Sequence, residues 1–245
     1  MTVQIALQLY SVREAANKDF EGAVRKVAAI GYDGVETAGY PGTTAVAAGK
    51  LFKELGLIAC SAHTSLPLGD KKNQILDEME AIDSKLLVTG IGPADAAELD
   101  KIKAACARMN EANQILKAKG IRQGVHNHWW EYEKLGNRYV YQIMAELLEP
   151  DILFELDTYW IKTAGVDPAK IVKEMGKRSP VLHIKDGPAM KGVPMTAVGK
   201  GVMDFPAIFA AAKGNLEWSI VELDACATDM FEAVEASFCY LKGTC

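Results

Sequence analysis

"AKGIRQGVHNH", residues 118–128, holds the fold in one joint: the end of a helical run, a glycine, a short apolar segment and then polar side chains. Gly120 stands where a left-handed C-terminal cap favours glycine, between helical spacing and strand character. The same joint recurs in "AIGYDGVE" (29–36) and "ELGLIACSAH" (54–63), with Gly31 and Gly56 in the equivalent places. Working outward, runs rich in Val, Ile and Leu lie at 4–10, 33–37, 57–62, 86–90, 121–127, 152–157, 180–184 and 217–223, taken in order as β1 to β8. Phe20 to Ile30, Ala45 to Leu55, Ala94 to Ala118 and Tyr139 to Leu148 carry helical spacing between them. Strand-then-helix repetition implies parallel strands joined by crossovers. Eight such units predict an α/β fold, a single closed (β/α)8 barrel spanning 1–245 as one domain. β1 runs into Gln8-Leu9-Tyr10-Ser11-Val12-Arg13 without a glycine-rich turn, which argues against a dinucleotide-binding open sheet.

Composition narrows the partners. Hydrophobic residues at 49% and charged residues at 24% are ordinary for a soluble domain, and no Gly/Ser- or Pro-rich linker interrupts them. A net charge of −5, with no block of basic residues, argues against a nucleic-acid partner. Five cysteines (Cys60, Cys106, Cys226, Cys239 and Cys245) lack metal-ligand spacing and read as mostly buried small hydrophobes in a reduced interior. Val3 to Leu9 is strand-like with no basic start, and no run reaches membrane-spanning length, so the expectation is a cytoplasmic protein with no membrane partner.

The chemistry gathers at strand ends. His63, His126, His128 and His183 all fall at or just past the ends of apolar runs. In parallel α/β proteins ligands bind outside the carboxyl ends of the strands. Residues two apart share a side of a strand, which pairs His126 with His128, Glu155 with Asp157, His183 with Lys185 and Glu222 with Asp224. Barrel interiors are filled by branched apolar side chains, so ionisable groups there need a partner or a cation. One residue per strand gives His126, Asp157, His183 and Glu222, a nitrogen and oxygen set suited to Mn, Co, Zn, Fe or Mg rather than Ca. Rim ion pairs without a metal are the alternative. His63 reads equally as a rim histidine or a substrate contact, and Asp224 as lying outside the barrel mouth. Gly199-Lys200-Gly201 lacks the Walker pattern and reads as a turn before Asp204 caps a helix, not as a phosphate cradle.

The chain resembles the sugar phosphate isomerase/epimerase family of xylose isomerase-like TIM barrels, and the likeness covers nearly its whole length. It rests on "LQLYSVR" (7–13), "GYDGVE" (31–36), "HNHWWEY" (126–132), "FELDTYWIKTAGVDP" (154–168), "LHIKDG" (182–187), "VGKGVMDF" (198–205) and "VELD" (221–224). The resemblance implies a metal held by glutamate, aspartate, histidine and glutamate from β5 to β8. Asp157, His183 and Glu222 match the last three, while His126 stands at the first, or His128 in a register shifted by two.

The implied reaction is proton abstraction beside a metal-bound carbonyl of a keto-sugar, an isomerisation or epimerisation. Glu222 is then the base, and His128 or Glu131 protonates a departing oxygen in the alternative, a lyase, hydrolase or dehydratase acting on 3-keto-glycosides or inosose-like substrates. Lys185 either steadies negative charge or pairs with Glu155 or Asp186. Trp160 is expected to line a sugar pocket, with Trp129, Trp130 and Tyr159 as core or pocket residues. Glu36 contacts substrate hydroxyls or pairs with Arg13. Two further classes are an AP endonuclease-like DNA repair enzyme and a non-catalytic sugar-binding barrel. A small-molecule sugar is the expected partner, and family habit implies a homo-oligomer.

Overall fold

In the computed structural model, which describes residues 3–244, eight parallel strands close on themselves. They are β1 (Gln4–Gln8), β2 (Gly34–Thr37), β3 (Ile58–His63), β4 (Leu86–Thr89), β5 (Arg122–His126), β6 (Leu153–Asp157), β7 (Val181–Ile184) and β8 (Trp218–Val221). Each pairs with its neighbours in sequence, and β8 pairs back to β1, as expected for a (β/α)8 TIM barrel. A helix follows every strand: α1 (Phe20–Ile30), α2 (Ala45–Leu55), α3 (Lys72–Ala81), α4 (Leu99–Lys117), α5 (Val140–Leu147), α6 (Pro168–Met175), α7 (Phe205–Ala212) and α8 (Met230–Lys242). A two-stranded ribbon, Lys134–Leu135 with Arg138–Tyr139, sits between β5 and α5.

The helix–glycine–strand joint is real in each place. Gly56 and Gly120 adopt φ of +70° and +69°, and each joint closes with the same two bonds. Gly56 N–H donates to Lys53 O and Leu57 N–H to Phe52 O; Gly120 N–H donates to Lys117 O and Ile121 N–H to Leu116 O. That pair satisfies carbonyls left over at the helix end and turns the chain directly into the next strand. The run Ala94 to Ala118 is two helices rather than one. Pro93–Ala96 stops short, and Glu98 adopts an extended backbone (φ −136°, ψ 131°) before α4 begins.

Two hydrophobic clusters result. The larger lies between strands and helices; the smaller fills the lower barrel with Ala6, Cys60, Leu86, Val88, Val181, Trp218 and Ile220. Gly34 leaves room for that plug, since a β-carbon there would run into the Ile58 carbonyl and the Trp218 ring. Cys60 and Cys106 are buried while Cys226 and Cys239 are only half-buried, so the reading of mostly buried thiols holds for two of the four described; Cys245 lies outside the described residues. Among the described residues no helix is long and apolar enough to cross a membrane.

Candidate metal centre at the barrel mouth

Strand register brings the polar residues together. His126 lies beside Glu155, and Asp157 beside His183, in adjacent strands of the barrel. Glu222 follows β8 directly, its N–H donating to Ile184 O. His126, Glu155, Asp157, His183, Lys185 and Glu222 are all buried. One ligand atom from each of His126, Asp157, His183 and Glu222 fits within a mutual span of 4.8 Å. Atoms bound to one ion at about 2.0–2.2 Å stand at most about 4.4 Å apart, so small side-chain adjustments would let the four share an ion.

Contacts within the cluster are dense. His183 Nδ1 stands 2.8 Å from Glu222 Oε2, and its Nε2 lies 3.1 Å from Glu155 Oε2 and 3.2 Å from Glu36 Oε1. His126 Nδ1 lies 3.2 Å from Glu155 Oε2, and its Nε2 3.9 Å from Asp157 Oδ2. Asp157 is clamped from its other side: its Oδ1 accepts from Trp160 N–H at 2.9 Å, and Asn127 brackets its backbone. Asp157 Oδ2 has an ion pair with Lys185 at 3.0 Å but, among the described residues, no hydrogen bond of good geometry. A buried, under-satisfied carboxylate oxygen beside the His126 imidazole is what a cation site requires. The donor set fits a divalent metal.

Lys185 does not pair with Glu155 or Asp186 as the sequence allowed. Its ammonium reaches Asp157 (3.0 Å), Glu222 (2.7 Å) and Asp224 (2.8 Å), which brings Asp224 into the cluster instead of outside the mouth. Glu36 does not pair with Arg13. Gln8 and Ser61 donate to its two oxygens, and His63 Nδ1 lies 3.8 Å from it. Arg13 instead donates to the carbonyls of Tyr10 and Asp224.

Electrostatics follows from burial and neighbours. Desolvation opposes charge on Lys185, His183 and Glu222, but their mutual attraction outweighs it. The carboxylates around Lys185 and His183 hold both above their ordinary values, and those two cations hold Glu222 below its own. Glu36 likewise overcomes burial through His183 and lies at about 2. Desolvation raises Asp157 to about 6 against the pull of Lys185. Burial, reinforced by Glu36, lifts Glu155 well above the carboxylate range. His126 is lowered by burial and by His183, and His63 by burial.

Above this layer lies an aromatic wall. His128 stacks on Trp130 at 4.1 Å and 11°, and Trp129 packs edge-on to Trp160 at 4.9 Å. Lys185 lies 5.3 Å from the Trp160 ring. Tyr159 is fully buried, its hydroxyl accepting from Ala189 N–H, and belongs to the core. His128 N–H donates to Glu131 Oε2 at 2.8 Å, while Glu131 Oε1 and His128 Nδ1 have no hydrogen-bond partner among the described residues. Burial raises Glu131 to about 8 and lowers His128 to about 4, so at neutral pH both are uncharged. The Gly199–Gly201 turn is filled from within: Asp186 accepts from the N–H groups of Gly187, Gly199, Gly201 and Met203. That leaves no open cradle for a phosphate, and Asp204 caps α7 through Ala207 N–H.

A family profile described as xylose isomerase-like TIM barrel matches residues 24–225. The chain belongs to that family. Among solved structures, a sugar phosphate isomerase/epimerase from Parabacteroides distasonis ATCC 8503 is similar at 25% identity and TM-score 0.82, covering 97% of this chain and 97% of its own. A D-allulose 3-epimerase from Methylomonas sp. is similar at 18% identity and TM-score 0.71, over 100% of this chain and 98% of its own. IOLI protein, crystallised with a binding zinc atom, shares the fold at 13% identity and TM-score 0.74, over 98% of each chain. No curated protein sequence matches the chain.

Proposed function

We propose that this protein is a divalent-metal-dependent isomerase or epimerase of keto-sugars. The observation that carries the reading is the buried His126, Asp157, His183 and Glu222 group, set at the carboxyl ends of successive strands where barrel enzymes place their chemistry. The similarity to the Parabacteroides distasonis isomerase/epimerase supports it. A divalent ion held by these four side chains would polarise a ketone oxygen and acidify the neighbouring C–H.

Glu222 is the carboxylate placed to take that proton, and Lys185 and His183, both beside its Oε2, keep it ionised and oriented. Trp160 and Trp129 offer apolar faces to a sugar ring, while Glu36 is wholly buried and His63, 3.8 Å from it, is the half-exposed polar group beside it. Glu131 is the proton donor of the pair with His128, because at neutral pH it still carries its hydrogen. That neutral carboxyl also favours a second reading, elimination, in which Glu131 protonates a departing hydroxyl or alkoxide.

Incubating metal-reconstituted protein with a panel of ketoses in deuterium oxide tests both. Deuterium appearing beside the carbonyl of a recovered ketose supports isomerisation or epimerisation, and release of a leaving group supports elimination. Neither outcome with any metal, together with unchanged ligand affinity in Glu222→Gln, would identify a sugar-binding barrel without catalysis.

A further inference from the structure

We infer that Arg13 and the rim groove beside it take a carboxylate carried by the substrate, so that the sugar for this site is a keto-sugar acid. The inference rests on the keto-sugar reading above and names the class of sugar. Arg13 opens the short helix Arg13–Ala16 beyond β1, and its guanidinium donates at 2.9 Å to Tyr10 O and at 2.7 Å to Asp224 O. It also lies over the Tyr10 ring, 4.2 Å from the centroid. Among the described residues no carboxylate pairs with it. A guanidinium has five N–H groups, so the two carbonyls leave three donors and a full positive charge for an outside partner.

A groove of about 460 Å³ opens at this guanidinium and runs along the rim to the loop after β2. Leu9, Phe20 and Pro41 give it apolar walls, and Tyr10, Asn17 and Tyr40 line it with polar groups. Among the described residues Arg13 is the one charged side chain that lines it. The two grooves that adjoin it carry acids, Asp77 and Glu78 in one, Asp19 and Glu21 beside Lys18 in the other. In a chain of net charge −5, a groove with a lone unpaired cation selects an anion. A single guanidinium matches the one charge and the two coplanar oxygens of a carboxylate; a phosphate ester brings a charge of about −1.5 to −2, and no second cation lines the groove to meet it. Asp224 ties the groove to the metal centre: its carbonyl holds Arg13, and its Oδ2 lies 2.8 Å from Lys185 Nζ, which also meets Asp157 and Glu222. Ser11 Oγ, accepting from Leu223 N–H at 3.0 Å, pins the same two loops together. A keto-sugar with its carbonyl end at Glu222 thus has Arg13 close by, just beyond Asp224.

Calorimetric titration of zinc-supplemented protein with fructose, fructuronate and fructose 6-phosphate, and with tagatose and tagaturonate, tests it. The expected result is that at least one uronate binds roughly 10–100-fold more tightly than its neutral ketose, the worth of a hydrogen-bonded charge pair, and more tightly than the phosphate ester. In Arg13→Met that ratio is expected to fall close to one, and Arg13→Lys, which keeps the charge without the fork, to retain part of it. Circular dichroism and zinc content check that both variants are folded. If they are not, the Arg13 Nε–H signal of ¹⁵N-labelled wild type decides: it is expected to shift with the bound uronate and not with fructose or with acetate at the same concentration. Uronates that bind no better than their ketoses or not at all, a preference for the phosphate ester, a ratio unchanged in Arg13→Met, an Arg13 signal that stays in place, or an equal shift with acetate overturns the inference. Deuterium exchange in neutral ketoses alongside any of these leaves the isomerase reading standing. Uronate binding through Arg13 without exchange in any sugar overturns that reading and leaves the carboxylate site.

Discussion

The lower and upper halves of the barrel interior are built on the same eight strands, yet their chemistry is opposite. Below, Ala6, Cys60, Leu86, Val88, Val181, Trp218 and Ile220 pack as an apolar plug. Above, Gln8, Glu36, His126, Glu155, Asp157, His183, Lys185 and Glu222 form a buried polar layer. Two or three residues along a strand, roughly 7–10 Å, separate the two regimes. The plug stabilises by removing apolar surface from water, about 25 cal/mol per Å². The polar layer instead carries a desolvation penalty that only partnered charges offset, so it is a poor source of stability and a plausible site only for chemistry. Stability and reactivity are segregated along one axis, which lets either half change without dismantling the other.

The largest effect that would break this division is expected in the plug. Trp218→Ala should lose about 3–5 kcal/mol in chemical denaturation while leaving metal content unchanged; a loss of metal with little change in stability would reverse the roles assigned to the halves. Next comes the polar layer's response to a cation. Zinc at about 100 times its dissociation constant should stabilise the wild type by about 2.7 kcal/mol in thermal unfolding, and His183→Ala should remove that gain.

The next effect, smaller per pH unit, concerns pH. Burial holds Glu131 at about 8 in the folded protein against 4.5 for a free glutamate. Its contribution is therefore complete below pH 4.5 and declines between 4.5 and 8, where only the unfolded chain has released the proton. Above that window it is lost. The decline is at most about 1.4 kcal/mol per pH unit, and Glu131→Gln should flatten it in denaturation curves taken across the range. The smallest effect belongs to Arg122, whose guanidinium meets Glu217 at 3.0 and 2.7 Å at the solvent-exposed base of the barrel. Arg122→Ala should cost about 0.2–1 kcal/mol and leave metal binding untouched.

The sequence made the barrel legible because most strands centre on short apolar runs and several joints carry a glycine, Gly31, Gly56 and Gly120 among them, with positive φ. The break at Ala97-Glu98 escaped because neither residue is a helix breaker; only the extended backbone at Glu98 marks it. At the mouth, the period of two put Glu155 and Asp157, or His183 and Lys185, on shared sides but left their partners open. Lys185 turns to Asp157, Glu222 and Asp224 because β6 and β8 flank β7 in the sheet, so its partners come from the neighbouring strands and not from its own. Gln8, Ser61 and Asn127 were passed over for the same reason. Their roles, holding Glu36 and the Asp157 backbone, exist only across strand pairs. The Asp186 carboxylate inside the Gly199–Gly201 turn is likewise reached across 13 to 15 residues of chain.

The account turns on a divalent ion shared by side chains of β5 to β8. A crystal of the protein soaked in zinc, with diffraction recorded on both sides of the zinc absorption edge, tests it most directly. The expected result is one anomalous peak about 2.0–2.3 Å from atoms of His126, Asp157, His183 and Glu222. A zinc-saturated crystal with no peak among these four residues would contradict it.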